Sequence, residues 1–173
     1  MKNLVRLISF LLVIVMISGC SRRNNDDSTG DRFKVYIGDT TDLSSEYVIR
    51  DKPIFTDNDI EYYDWDNQKI VFKDEYLEQL DVPFVEEKRY IGGSRLLGTS
   101  SIDKFYVYVD DELIYDGCFA QSMLSSFLPQ GAIISDINDG VYIKFVNLCG
   151  DQLDKRYDER ILKLLEKKAL IKE

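Results

Sequence analysis

The side chains of this chain that could act on a substrate are carboxylates, hydroxyls, thiols and phenols, because it holds no histidine. That removes the commonest general base and the commonest metal ligand. Ser101-Ile102-Asp103-Lys104 has the Ser-x-x-Lys spacing in which a lysine can take the proton of a nucleophilic serine. That chemistry also needs Ser-Asp-Asn and Lys-Thr-Gly motifs, which do not occur, and a helix where the pattern here runs into a strand. Acidic groups at Asp57/Asp59, Asp64/Asp66, Asp110-Asp111-Glu112 and Asp136/Asp139 suggest calcium. A calcium loop of the helix–loop–helix kind needs alternating ligands, a central glycine and a terminal bidentate glutamate, and no stretch supplies all three. Helix caps and turns account for each group, so the sequence names no catalytic residue, no metal ligand and no cofactor.

Two further groups carry chemistry. Cys118 and Cys149 are an even pair once Cys20 is set aside. In an exported chain they form either a disulfide or two separate thiols. A bond would close a loop of about 30 residues and stabilise by about 3–4 kcal/mol in the entropy model. A catalytic thiol is disfavoured because no histidine can partner it. Tyr106, Tyr108 and Tyr115 are expected on one face of a hairpin, with Tyr62, Tyr63 and Trp65 close in sequence. Tyrosine and tryptophan anchor interfaces when they face solvent and fill the core when a helix covers them. Tyr106, Tyr108 and Tyr115 are thus the candidate interaction face.

The N-terminal segment is the most specific. Met1-Lys2-Asn3-Leu4-Val5-Arg6 is basic, Leu7 to Ile17 is apolar apart from Ser9, and Ser18-Gly19 places small residues before Cys20. This is the layout of a secretory signal, and the apolar run is about half of the roughly 20 residues a membrane span needs. Ile17-Ser18-Gly19-Cys20 resembles the lipobox of bacterial lipoproteins, with isoleucine where leucine is usual. The resemblance covers the first 20 residues. It implies cleavage before Cys20, a diacylglyceryl thioether on its sulfur, and palmitate-type acyl chains in the membrane. It places the protein on the extracytoplasmic face of the cell membrane, or on an outer membrane where the cell has one.

The chain then divides into three segments: a cleaved signal at 1–19, a lipidated tether at 20–32 and one folded domain at 33–173. Ser21 to Arg32 has no apolar residue, so it cannot offset its ordering entropy, and fully stretched it reaches roughly 40 Å. Lys2 and Arg6 leave with the signal, which takes the formal charge from −9 to −11. Charge of that sign repels phosphate backbones, so nucleic acid is excluded as a partner. An apolar share of 45% supports a packed core.

Within the domain, Phe33 to Ile37 alternates as a strand, and Glu46 to Ile49 is extended. Thr56 caps a short helix that carries Ile60 and Tyr63 on one face. Lys69 to Lys73 is a strand, and a short helix runs from Asp74 to Leu80. Residues 81–103 are irregular around Leu96-Leu97. Tyr106–Val109 and Glu112–Tyr115 form a hairpin about Asp110-Asp111, with Val107 opposite Ile114, Tyr108 opposite Leu113 and Tyr106 opposite Tyr115. Ser122 to Leu128 is a short helix, and Ala132 to Ile134 and Val141 to Val146 are strands. A helix from Lys155 to Ile171, capped by Asp154 or Asp158, places Ile161, Leu164, Leu165 and Lys168 on one stripe. The class is α+β: a small, mostly antiparallel sheet with short helices and a C-terminal helix packed on it. Over residues 54–170, the order of an Asp-Ile-type helix, a strand, a tyrosine-rich hairpin and a terminal helix resembles the head subdomain of the extracytoplasmic part of the secretion protein SecD. The resemblance implies a fold and no activity.

The function expected is a lipid-anchored binding module at the cell envelope, with the membrane and an envelope protein as partners. The alternatives are an envelope hydrolase using carboxylates or a serine, and a small inhibitor or immunity-type lipoprotein.

Overall fold

A computed structural model describes residues 32–40, 46–80, 93–120 and 130–172. Contacts divide the chain into Met1–Gly30 and Asp31–Glu173, and every described residue belongs to the second unit. The expected signal, Cys20, most of the expected tether and the helix expected at Ser122–Leu128 lie outside the described residues.

The elements are β1 (Phe33–Asp39), β2 (Val48–Ile49), β3 (Phe55–Thr56), a 3₁₀ turn (Asp57–Asp59), β4 (Ile60–Asp64), β5 (Lys69–Phe72), α1 (Asp74–Gln79), β6 (Lys104–Val109), β7 (Glu112–Phe119), β8 (Gly131–Ile137), β9 (Gly140–Val146), a second 3₁₀ turn (Lys155–Tyr157) and α2 (Glu159–Lys167). The strands make one nine-stranded sheet in the order β2-β1-β6-β7-β8-β9-β5-β4, with β3 also paired to β1. Every pairing is antiparallel except β7 with β8. The sheet is therefore mixed, mostly antiparallel, and larger than the small sheet the sequence suggests.

Alternation decides which face is inside. Phe33, Val35 and Ile37 of β1 are buried while Lys34 and Tyr36 between them are half-buried on the opposite face. Phe105 and Val107 do the same in β6, whereas in β5 Ile70, Val71 and Phe72 are all buried. The Phe33 ring meets the Tyr63 ring edge-on at 6.5 Å, although β1 and β4 stand near opposite ends of the strand order. The sheet thus curls on itself, as its twist favours, and the segment 55–64 joins the two ends through the first 3₁₀ turn. Ile161, Leu164 and Leu165 of α2 fill the enclosed space.

Asp57 ties these parts together. Its carboxylate, with a side chain 1% exposed, accepts the Phe33 N–H at 3.0 Å and pairs with Lys168 Nζ at 2.7 Å. One acid thereby fixes the start of β1, the first 3₁₀ turn and the end of α2.

Two expected helices come out shorter. Thr56 does cap, in a capping box with Asp59, but the helix stops after one 3₁₀ turn and Ile60–Asp64 is a strand. Pairing with β5 on one side, and a parallel bridge between Tyr63 and Ile171 on the other, outweighs the local helix signal. At the C-terminal end both candidate caps are used. Asp154 caps the second 3₁₀ turn and Asp158 caps α2. The helix ends at Lys167, Ala169 turns left-handed (φ 54°), and Ile171 is free to line the edge of β4.

Candidate functional site

The candidate site is built on the face of the sheet turned away from α2. Register sets Lys34 opposite Tyr108, Tyr36 opposite Tyr106 and Gly38 opposite Lys104 across β1 and β6. Cross-strand partners on one face lie close enough for aromatic rings to touch. The Tyr36 and Tyr108 rings meet at 76° with centroids 5.4 Å apart. The Tyr106 ring lies over Gly38, where a Cβ would stand 2.7 Å from its Cε2, so glycine there is what lets the ring lie flat on β1. Lys104 Nζ sits 4.9 Å from the centroid of the Tyr47 ring. Val48 (71% exposed), Ile49 (40%) and Leu113 (46%) add apolar surface at the margins.

At the hairpin end of this face lies an open cavity of about 220 Å³, lined by Tyr36, Ile49, Tyr108, Asp110 and Asp111. Asp110 is held there reciprocally: its Oδ1 accepts the Arg32 N–H at 2.7 Å and its own N–H donates to the Arg32 carbonyl. Its backbone is left-handed (φ 56°), a conformation aspartate tolerates better than most residues. Asp111 pairs with Lys34 at 3.2 Å while its side chain stays fully exposed. Burial first, then the carboxylate of Asp116, pushes the Tyr106 hydroxyl above its ordinary pKa, so it stays a neutral donor.

The structure divides the three predicted tyrosines. Tyr106 and Tyr108 share this outer face. Tyr115 does not, because a bulge at Ile114 shifts the hairpin: Tyr108 faces Leu113 as expected, but Val107 faces Tyr115 and Tyr106 faces Asp116. Tyr115 is turned into the core, 7% exposed, edge-on to Phe105. Its hydroxyl is buried with no hydrogen-bond partner among the described residues, and burial raises its pKa. Tyr63 is likewise core, donating to Gln68 Oε1 at 2.8 Å, and Trp65 packs beside it. Tyr36, Tyr47 and Ile49, which complete the face, come from strands and loops distant in sequence. The outward alternation of Lys34 and Tyr36 against Phe33, Val35 and Ile37 is the signal that could have found Tyr36.

Cys118 and Cys149 are both free. Cys118 lies on β7 opposite Lys104 and Ile133, whereas Cys149 follows the end of β9, so β8 stands between them. The expected alternative of a disulfide is not formed in this structure. Burial raises the Cys118 pKa, which keeps its thiol protonated. Ser101 sits in a turn, and its spacing partner Lys104 is engaged with Asp116 and Tyr47. The acidic groups are occupied with structure: Asp59 in a capping box, Asp64 with Asn67, Glu112 with Arg160, Asp139 with Lys69. Asp136 accepts the Ser94 hydroxyl and the N–H groups of Arg95 and Leu96, pinning the turn at 94–98 to β8.

No family model, curated protein or solved structure matches this chain. The short helix that opens the SecD-like element order is, in the structure, a single 3₁₀ turn followed by β4. The chemistry available at the site is that of an aromatic surface with a carboxylate rim. It can stack, accept hydrogen bonds and attract cations.

Proposed function

We propose that this chain is a lipid-anchored extracytoplasmic binding module of the cell envelope, α+β in class, that engages an envelope protein through the outer face of β1 and β6. The observation that carries this reading is the row of half-buried Tyr36, Tyr106 and Tyr108 on the sheet face away from α2, which keeps part of its aromatic area open to solvent. Tyrosine offers large contact area with few rotatable bonds, which is why it anchors interfaces. Supporting it, Asp59, Asp64, Glu112, Asp136 and Asp139 of the acidic groups in the sequence are committed to caps, turns and ion pairs. Asp103, a carboxyl that burial pushes upward, accepts the Ser100 N–H beside the Arg50–Asp39 pair. The lipid attachment rests on Ile17-Ser18-Gly19-Cys20.

The test is site-specific photocrosslinking in cells that make the full chain. A photoreactive residue at Leu113, beside Tyr108, should capture a protein, whereas one at exposed Lys144 of β9 should not. Equal capture from both positions, or none from Leu113, would remove the assignment of this face.

A further inference from the structure

We infer that the cavity at the hairpin end of the tyrosine face receives one alkylammonium group, the ε-ammonium of a lysine carried by the protein partner. The inference rests on the proposed interaction face and adds the chemistry of its central contact. Three features of the cavity converge on it.

The first is the aromatic corner. Two rings in edge-to-face contact at 76° line the cavity, and a cation within about 6 Å of a ring centroid, over its face, is attracted by its quadrupole. The chain already uses this pairing elsewhere on its own surface: Lys104 lies 4.9 Å from the Tyr47 centroid and Lys172 lies 4.9 Å from that of Tyr62.

The second is charge. Asp110 and Asp111 bring two negative charges to the rim, and Lys34 brings one positive charge, through Asp111. Asp110 is held by a backbone N–H, which does not neutralise it. Among the described residues the cavity therefore keeps one uncompensated carboxylate, which suits a single incoming cation. The acidic net charge of the chain steers a basic partner towards it.

The third is shape, which separates lysine from arginine and from larger ligands. A guanidinium is held best when one carboxylate offers both oxygens side by side. Here Oδ1 of Asp110 is committed to Arg32 and Oδ1 of Asp111 to Lys34, so neither offers that fork. An ammonium, a compact point charge, needs only one free oxygen. The volume of about 220 Å³ lies below the roughly 300–1,000 Å³ typical of drug-sized ligands and matches a side chain, with Ile49 to cover an aliphatic stem.

The experiment uses the full mature chain in detergent micelles, with proton–carbon NMR of the tyrosine rings. The probes are the N-acetyl methylamides of lysine, arginine and norleucine. The lysine probe should shift the Tyr36 and Tyr108 ring signals with a dissociation constant on the order of millimolar, as expected of a single cation–aromatic contact. It should bind at least fivefold more tightly than the arginine probe, and the norleucine probe should cause no shift. Asp110→Asn keeps an Oδ1 acceptor for Arg32 and tolerates the left-handed backbone, so it should fold normally and bind lysine at least fivefold more weakly. Tyr108→Phe, which keeps the ring, should bind as the parent does, and Tyr108→Leu should not. Norleucine binding equal to lysine, or an Asp110→Asn protein that binds undiminished, would overturn the lysine site. Capture from Leu113 without lysine binding would refute this inference and leave the interaction face standing. Lysine binding without capture would leave an alkylammonium-binding cavity but overturn the protein partner, and with it both the interaction face and the partner-lysine assignment.

Discussion

Asp57 and Lys168 form a pair whose two ends are not equivalent. The Asp57 carboxylate is sealed among β1, the first 3₁₀ turn and α2, while the Lys168 side chain is 29% exposed. Lys168→Met should leave a buried carboxylate whose remaining partner among the described residues is the Phe33 N–H, a change that costs about 3 kcal/mol. Asp57→Asn should cost less, about 1–2 kcal/mol, because the amide oxygen still accepts that N–H and the released ammonium can turn to water. Urea midpoints at constant slope measure both, and an Asn variant less stable than the Met variant would contradict the asymmetry. Tyr115 shows the opposite sign. Its buried hydroxyl has no partner among the described residues, so Tyr115→Phe removes a desolvation cost without opening a cavity. It should stabilise by about 1 kcal/mol, read as a higher thermal midpoint. A clear loss of stability would mean that the hydroxyl does find a partner.

Among the elements, α2 depends on its first residues. Asp158 accepts the Arg160 N–H and pairs with the Arg160 guanidinium, which holds its pKa down at about 2 against an ordinary 3.8. Between those values the unfolded chain takes up a proton that the folded chain refuses, so stability present above pH 4 drains away as pH falls towards 2. Asp158→Asn still caps but no longer titrates. It should cost about 1 kcal/mol at pH 7, where the parent's ion pair is intact, and less at pH 2.5, so its urea midpoint drops less between pH 5 and pH 2.5. Asp158→Ala should show the same flattened drop from a level lower by about 1 kcal/mol for the lost cap. An Asn variant as acid-sensitive as the parent would assign the acid response to other carboxylates. Both caps of this region could be read from the sequence, since a cap needs only an Asp and the turn after it. The length of a helix could not be read so easily. Thr56 and Asp59 signal a start as clearly as Asp158 does, yet Ile60–Asp64 leaves the helix because β5 and Ile171 claim its backbone from far along the chain. The hairpin shows the same boundary within ten residues. Asp110-Asp111 marks the turn, and Tyr108 meets Leu113 as alternation requires. The bulge at Ile114 then puts Tyr115 inside, a choice made by the neighbouring strands.

For the whole molecule, the same boundary separates what the candidate site shows in sequence from what it does not. Tyr106 and Tyr108 are visible as an outward pair on one strand, but the corner that Tyr36 forms with Tyr108 exists only because β1 lies beside β6, some seventy residues away in the chain. Nor could the sequence show that the curled sheet would bring Arg32, the last residue of the expected tether, against Asp110 at the cavity rim. The described body therefore begins, at Arg32, at the end of the face that carries the proposed lysine site, where the expected tether would lead. That arrangement matters only if the tether is attached to a membrane, and the attachment has a physical signature. The proposed mature chain, of charge −11, has no electrostatic attraction for anionic headgroups, so under the proposed lipobox reading its residence on a bilayer would come from acyl chains on Cys20. One chain of myristoyl length holds only marginally, whereas two or three hold firmly, at about 0.8 kcal/mol per buried methylene. The native protein should accordingly sediment with membranes, stay there through a molar salt wash and leave in detergent. Cys20→Ala should leave the membrane-associated acylated pool, with the unmodified chain recovered either soluble or still carrying its leader. Release of the native protein by salt alone would show that charge holds it. Unchanged acyl labelling of the Cys20→Ala protein would show that another residue carries the lipid.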